Sequence, residues 1–284
     1  MFARLQTYAS FVRISHSVFA LPFALTGALL ATRLTPFVWM RLVWVVGCMI
    51  AARNAAMGFN RLVDAAFDAR NPRTAMRELP RGALSRKEAT LFVVVWSVAF
   101  VAMAGALGRT CLLLSPVALA IVFWYSLAKR VTPYTQVFLG LAMAVAPVGG
   151  WMAMNGPMRV EPWLLGLAIG AWVGGFDVLY ACQDVDVDRR EGLQSIPVRF
   201  GVERALTISR AMHVLAVCAL GGVGWLAGLG LVYAAGVVFV AVLLVYEQSL
   251  VRADDLSRVK RAFDLNGWVG LVYLAATALD IYLA

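Results

Sequence analysis

The feature that most constrains this chain is a succession of nine apolar runs, centred near Ala24, Val46, Trp96, Ala118, Ala144, Ile169, Val217, Phe239 and Leu274, with most of the charge confined between them. The runs reach about 20 residues, the length a helix needs to cross a hydrocarbon layer about 30 Å thick. Lipid offers the backbone no hydrogen-bond partner, so such runs are expected to be helices, whose backbone bonds are internal. Composition agrees: 62% of the 284 residues are hydrophobic and 14% charged, a balance that no soluble domain of this size can hide in its core. The expected architecture is an all-α polytopic membrane protein, one domain over residues 1–284, with about nine transmembrane helices around a central cavity. Arg4 and Arg13 precede the first run without a small-residue cleavage site after it, so that run is read as a retained helix.

Charge placement gives a topology. With the N-terminus in the cytoplasm, that side receives Arg4, Arg13, Arg70, Arg73, Arg77, Arg81, Arg86, Lys87, Lys129, Arg130, Arg189, Arg190, Arg199, Arg204, Arg252, Arg258, Lys260 and Arg261, eighteen basic residues against four on the other side. Those four are Arg33, Arg41, Arg109 and Arg159. This segregation follows the positive-inside rule and predicts a multi-pass protein of the inner (cytoplasmic) membrane. A nucleic-acid surface would gather its basic residues on one folded face, so the net charge of +9 points to the bilayer as partner and not to nucleic acid. Cys48, Cys111, Cys182 and Cys218 lie scattered in apolar stretches without metal-ligand spacing and read as membrane-core packing.

Two loops, after the second and the sixth helices, are richer in polar residues than the others and follow the most acidic helix ends. They lie four helices apart, so an internal duplication of parallel four-helix units, with a ninth helix added, would place both acidic clusters on one membrane face. In the second helix Asn60, Asp64 and Asp68 recur at every fourth residue and form one stripe. Hard oxygen ligands of this kind suit Mg²⁺, which keeps several waters and bridges a few carboxylates to substrate phosphates. Arg70, Asn71, Arg73 and Thr74 follow, suited to a diphosphate's remaining charge. In the sixth helix Asp177, Tyr180, Asp184 and Asp188 are expected to share one face. Each cluster alone also reads as a solvated, charged helix end; two that repeat a four-residue step at matching places favour a metal-diphosphate site.

Tyr125, Ser126, Lys129, Arg130 and Thr132 end the fourth helix, and Tyr125 and Lys129 lie one turn apart. Reaching into the cavity and ordinary snorkelling both account for them. Arg53 is seven residues before Asn60 and deeper on the same face, either a clamp for an acceptor carboxylate or a diphosphate oxygen, or a structural partner for another helix. His16 and His213 have no companion at ligand spacing and read as packing or hydrogen-bonding residues.

Three stretches carry a resemblance. Asn60–Thr74 (NRLVDAAFDARNPRT), Tyr180–Pro197 (YACQDVDVDRREGLQSIP) and Tyr125–Gln136 (YSLAKRVTPYTQ) are similar to the signatures of the UbiA superfamily of intramembrane prenyltransferases, and the helix count agrees over nearly the whole chain. The resemblance implies a Mg²⁺-dependent enzyme in which Asn60, Asp64, Asp68, Asp184 and Asp188 hold Mg²⁺ on a prenyl diphosphate. It further implies that Arg73 and Lys129 contact the diphosphate, with Arg70, Tyr125 and Arg130 beside them, and that Asp177 and Tyr180 support the second cluster. SHSVFALPFA, AARNAAMGFNR and GLQSIPVRFG are most similar to the 4-hydroxybenzoate polyprenyltransferase group, including relatives in the futalosine route to menaquinone. GLQSIP departs from the GIKS of ubiquinone-pathway members and leaves the acceptor open, with a dihydroxynaphthoate as the alternative to 4-hydroxybenzoate. A secondary transporter, the rival from another class, would place its charges near the bilayer midplane and not at helix ends.

Overall fold

The structure, a computed structural model, describes residues 2–12, 21–72 and 74–283. Among the described residues the regular elements are helical: α1 Phe2–Phe11, α2 Leu21–Ala31, α3 Trp39–Arg70, α4 Arg86–Leu107, α5 Arg109–Ala128, α6 Thr135–Ala153, α7 Glu161–Ala181, α8 Val185–Arg190, α9 Ile196–Phe200, α10 Val202–Ala227, α11 Leu231–Ser249 and α12 Val259–Leu283. Among the described residues, eight paths are long and apolar enough to cross a membrane: α3, α4, α5, α6, the Glu161–Arg190 stretch, α10, α11 and α12. The first apolar run contributes α2, which is shorter, and its preceding residues 13–20, with Arg13 and His16, lie outside the described residues. Leu91, Val94, Val95 and Val98 of α4 and Leu113 and Val117 of α5 are exposed, as a lipid-facing wall requires. This is a multi-pass membrane protein.

Local sequence sets several boundaries. Ser85 and Glu88 form a reciprocal capping box at the start of α4, the Ser85 hydroxyl accepting from the Glu88 amide (3.2 Å) and the Glu88 carboxylate from the Ser85 amide (2.9 Å). Gly192 at φ 68° turns the chain after α8, in a region where a side chain would be strained. One difference from expectation concerns the sixth helix. It is not continuous: α7 stops at Ala181, Cys182–Asp184 form one 3₁₀ turn, and α8 resumes at Val185. Asp184 therefore sits in the turn, and the single helical face expected for Asp177, Tyr180, Asp184 and Asp188 is broken there. Its DVDVD run carries no glycine or proline that would have marked the break.

Packing relies on small residues, as expected where lipid is as apolar as leucine and close approach must supply the attraction. The central element is α7, most of whose residues are buried, packed on α6 and α10. A Cβ on Gly140 would meet the backbone of Gly170, and one on Gly175 would meet the His213 ring, so these helices touch nearly backbone to backbone. The Ser209 hydroxyl donates to the Gly175 carbonyl (2.7 Å), and the Gln248 amide nitrogen lies 2.7 Å from Ser209 Oγ and 3.0 Å from His213 Nδ1. Helix α2 crosses α6 in the same way, Gly27 against Pro147 and Gly150 against Ala24. On the other side Trp172 donates to Asn266 (2.7 Å), which donates to the buried Glu247 (3.1 Å), joining α7, α12 and α11. In both quartets, α2–α5 and α6, α7, α10, α11, the second and third helices pack extensively, consistent with a duplicated frame.

Gly149 and Gly150 give a matched test. A Cβ on Gly150 collides with the Ala24 backbone, whereas one on Gly149 meets nothing within 4 Å. Gly150→Ala is expected to destabilise the detergent-solubilised protein by about 1–3 kcal/mol through overpacking. Gly149→Ala is expected to be neutral or to stabilise by up to about 1 kcal/mol. Thermal unfolding of both variants checks this, and equal midpoints would contradict the close α2–α6 crossing.

Candidate functional site

The carboxylates of α3 lie in its last turns, where 32 residues, about 48 Å of helix at about 1.5 Å per residue, reach one end of the bundle. Asp64 is 3% exposed and Asp68 7%. Buried carboxylates require compensation, and here it comes from other segments. Lys129 Nζ lies 2.7 Å from one oxygen of Asp64 and Arg130 Nη2 2.7 Å from the other. The Asn60 amide donates to Asp64 at 3.3 Å, and Arg130 also donates to the carbonyls of Ser126 (2.9 Å) and Val63 (3.0 Å). Asp68 accepts both its contacts from Arg77 Nη1, at 2.7 and 2.8 Å, while Thr74 donates to the Asp68 carbonyl at 3.0 Å. Phe67 between the two acids lies under both Arg70 and Arg130, whose guanidinium carbons are 5.1 and 5.2 Å from its ring centre.

The α7–α8 cluster meets this one around Tyr125. The Tyr125 phenol lies within electrostatic reach of Asp64, Arg77 and Arg53 on one side and of Asp177 on the other, and Asp177 in turn of Asp184 and Asp188. Tyr180 packs on Phe263 of α12, ring centres 5.1 Å apart. Loops stitch the halves together. Arg70 pairs with Glu191 at 2.5 Å, and this exposed contact holds the Glu191 carboxyl below the usual glutamate range. Beyond Gly192, the Gln194 amide donates to the Lys129 carbonyl (2.7 Å), Thr135 donates to the Gln194 carbonyl (3.2 Å), and the Ile196 amide donates to the Gln136 side chain (3.1 Å).

The residues expected at the site thus fall into groups. Asn60, Asp64, Lys129 and Arg130 form one contact set, with Asp68 one turn on. Tyr125, Arg53 and Asp177 are gathered beside it. Arg70 faces outward to Glu191, and Arg73 lies outside the described residues. Sequence reasoning counted Arg77 only as loop charge, yet it is the cation on Asp68; one of several arginines in an aperiodic loop, it carried no local signal.

The donors are carboxylate and amide oxygens, a hard set that fits Mg²⁺. Among the described residues there is no preformed group of three metal-ligating His, Cys, Asp or Glu side chains. Counting formal charges, the two acids and three cations of the α3 cluster leave one net positive charge, favourable to an anion.

Fold and site together define an all-helical membrane protein with acidic helix ends neutralised from neighbouring loops. Residues 20–271 match the UbiA prenyltransferase family. The chain belongs to that family and is a membrane-embedded enzyme of the prenyltransferase class. It is 36% identical over 252 residues to the 4-hydroxybenzoate octaprenyltransferase of Citrobacter koseri, covering 88% of this chain and 86% of that one. The 4-hydroxybenzoate octaprenyltransferase of Klebsiella pneumoniae is 34% identical over 246 residues, 86% and 84% of the two chains. Among solved structures, the apo UbiA homolog from Aeropyrum pernix K1 superposes with a TM-score of 0.86 at 36% identity, over 94% of this chain and 98% of that one. The fold is shared by a UbiA homolog from Archaeoglobus fulgidus bound to GPP and Mg²⁺, with a TM-score of 0.72 at 19% identity over 96% and 99% of the chains.

The Asp68–Arg77 pair is open to a double-mutant cycle. Arg77→Ala should destabilise the metal-free protein by about 3 kcal/mol by leaving a buried carboxylate uncompensated. Asp68→Asn with Arg77→Ala should cost less than the sum, with a coupling of about 1–3 kcal/mol. Denaturation midpoints of the four proteins measure it, and additive losses would show that the ion pair carries no energy.

Proposed function

We propose that this enzyme transfers a polyprenyl group from its diphosphate to the ring carbon beside the hydroxyl of 4-hydroxybenzoate, in quinone biosynthesis. The reading rests on the neutralised carboxylate stripe at the end of α3, set beside the α7–α8 acids around Tyr125. The similarity to 4-hydroxybenzoate octaprenyltransferases supports the choice of acceptor.

Asn60, Asp64 and Asp68 with Asp184 and Asp188 would hold Mg²⁺, which would supply Lewis-acid neutralisation of the diphosphate oxygens. Lys129, Arg130 and Arg77, which neutralise the acids in this structure, turn to the diphosphate when it enters, together with Arg73. Such preorganised charge stabilises the leaving group as the bond between the allylic carbon and the diphosphate oxygen breaks, its electron pair departing with the diphosphate. The aromatic ring then attacks the allylic cation, a carbon–carbon bond forms, and the ring proton passes to a carboxylate of the site or to the released diphosphate, which restores aromaticity. Arg53, deeper on α3 and near Tyr125, clamps the acceptor's carboxylate, while Asp177 and Tyr180 support the second cluster. The apolar walls exclude the water that would quench the cation, and the isoprenoid tail runs into the bilayer. The segregation of basic residues to these helix ends supports a site on the cytoplasmic face of the inner membrane.

Membranes containing the protein, incubated with Mg²⁺, geranyl diphosphate and either 4-hydroxybenzoate, a dihydroxynaphthoate or no acceptor, should yield prenylated 4-hydroxybenzoate by mass spectrometry. Asp64→Ala and Asp184→Ala should each lower the rate by about 100-fold or more, as loss of one transition-state charge contact does. A chelator should abolish it. Product with the dihydroxynaphthoate alone would reassign the acceptor, and no transfer across several prenyl lengths would overturn the reading.

A further inference from the structure

At the end of the bundle away from the carboxylates lies a cavity of about 300 Å³. It opens between the start of α5, the end of α6 and the start of α7, and its lining includes Arg109, Thr110, Trp151, Met152, Asn155 and Trp163. The catalytic reading uses none of these residues.

The arginines of this face are informative because charge segregation leaves only four there, Arg33, Arg41, Arg109 and Arg159. Three serve the protein itself. Arg33 donates to the Ala227 carbonyl, closing the end of α10. Arg41 donates to the carbonyls of Leu107 (3.1 Å) and Ala153 (2.7 Å) and to the Asn155 side chain (3.0 Å), tying the ends of α4 and α6. Arg159 pairs with Glu161 at 2.8 Å. Arg109 has no hydrogen-bond or ion-pair partner among the described residues, and it lines the cavity. Thr110 beside it likewise spends its hydroxyl on no described group.

We propose that this cavity binds the headgroup of an anionic glycerophospholipid from the adjacent leaflet, its phosphate on Arg109 and Thr110 and its glycerol and upper acyl carbons on Trp151, Met152 and Trp163. A guanidinium fork matches phosphate oxygens in geometry and charge. The walls are mainly apolar and aromatic, and Trp163 is 52% exposed, the disposition of an indole in an interfacial belt. A free inorganic anion would leave those walls unused, whereas a phospholipid carries both chemistries. Occupancy staples the α4–α5 corner to the α6–α7 turn, so the bound lipid stabilises the fold from the face opposite the site.

The test uses the purified full chain in a neutral detergent. Added phosphatidylglycerol should raise the thermal unfolding midpoint by a few degrees, as ligands that bind only the folded state do. Native mass spectrometry should retain one such lipid. Arg109→Gln should weaken that binding by about 10–100-fold, the worth of a charged hydrogen-bond pair. Lys87→Gln, an equal charge change at the other end, should leave it intact. If Arg109→Gln does not fold, Thr110→Val reads the same pocket and should weaken binding in the same direction. Phosphatidylcholine giving an equal shift, or a lipid response unchanged in the Arg109 and Thr110 variants, would overturn the proposal. An equal shift from inorganic phosphate would overturn the lipid as its occupant.

Discussion

The interaction on which the rest of this structure depends is the capture of Asp64 by Lys129 and Arg130. A carboxylate 3% exposed near the end of a membrane-crossing helix needs nearby opposite charge or an ion, because lipid and packed side chains offer it almost no solvation. Both cations come from the turn that joins α5 to α6, so satisfying one acid on α3 fixes where the first quartet hands over to the second. The Lys129 carbonyl then accepts from Gln194, which carries the constraint to the loop behind the α7–α8 acids. A single charge requirement thus brings four distant segments to one end of the bundle.

That convergence would fail if the helices could slide. Here glycine matters: Gly140 on Gly170 and Gly150 on Ala24 leave α6, α7 and α2 in registers set by backbone contact, and Gly175 receives the His213 ring of α10. The polar link from Trp172 through Asn266 to Glu247 adds a directional constraint between α7 and α12, which apolar packing alone does not supply. Rigid crossings in the middle permit irregular backbone at the ends, where water can satisfy it. The 3₁₀ turn at Cys182–Asp184 and the Gly192 reversal are both found there.

How far the sequence discloses this depends on the range of each interaction. Apolar runs and the Asn60, Asp64 and Asp68 stripe are local, written in a periodicity that a helix converts directly into a face: eight of the nine runs are found among the described residues as helices long enough to cross, and the stripe lies on α3. The α7–α8 acids share that type of spacing, yet the helix breaks beneath them, and DVDVD carries no glycine or proline to mark the break. Arg77 was illegible for a related reason: its link to Asp68 spans an aperiodic loop with several equivalent arginines. Glu247 and Asn266 lie on different helices and look like isolated polar residues until the fold places them 3.1 Å apart.

One asymmetry in the charge network bears on how such a site can work. The acids of the first cluster belong to α3, a 32-residue helix held along its length, whereas their cations stand on the α3–α4 loop and the α5–α6 turn. Helical carboxylates keep their spacing when their partners leave; long lysine and arginine side chains on loops can re-aim over several ångströms by rotamer change alone. On the proposed function, a metal-bound diphosphate would exchange partners within this network without moving a helix: the carboxylates would hold the metal, and Lys129, Arg130 and Arg77 would turn to the diphosphate oxygens. Neither exchange is favourable alone, since a metal ion by itself would meet three competing cations, and an anion by itself would strip two buried acids of their compensation. On the proposed function, the arrangement would favour the metal and the diphosphate binding together.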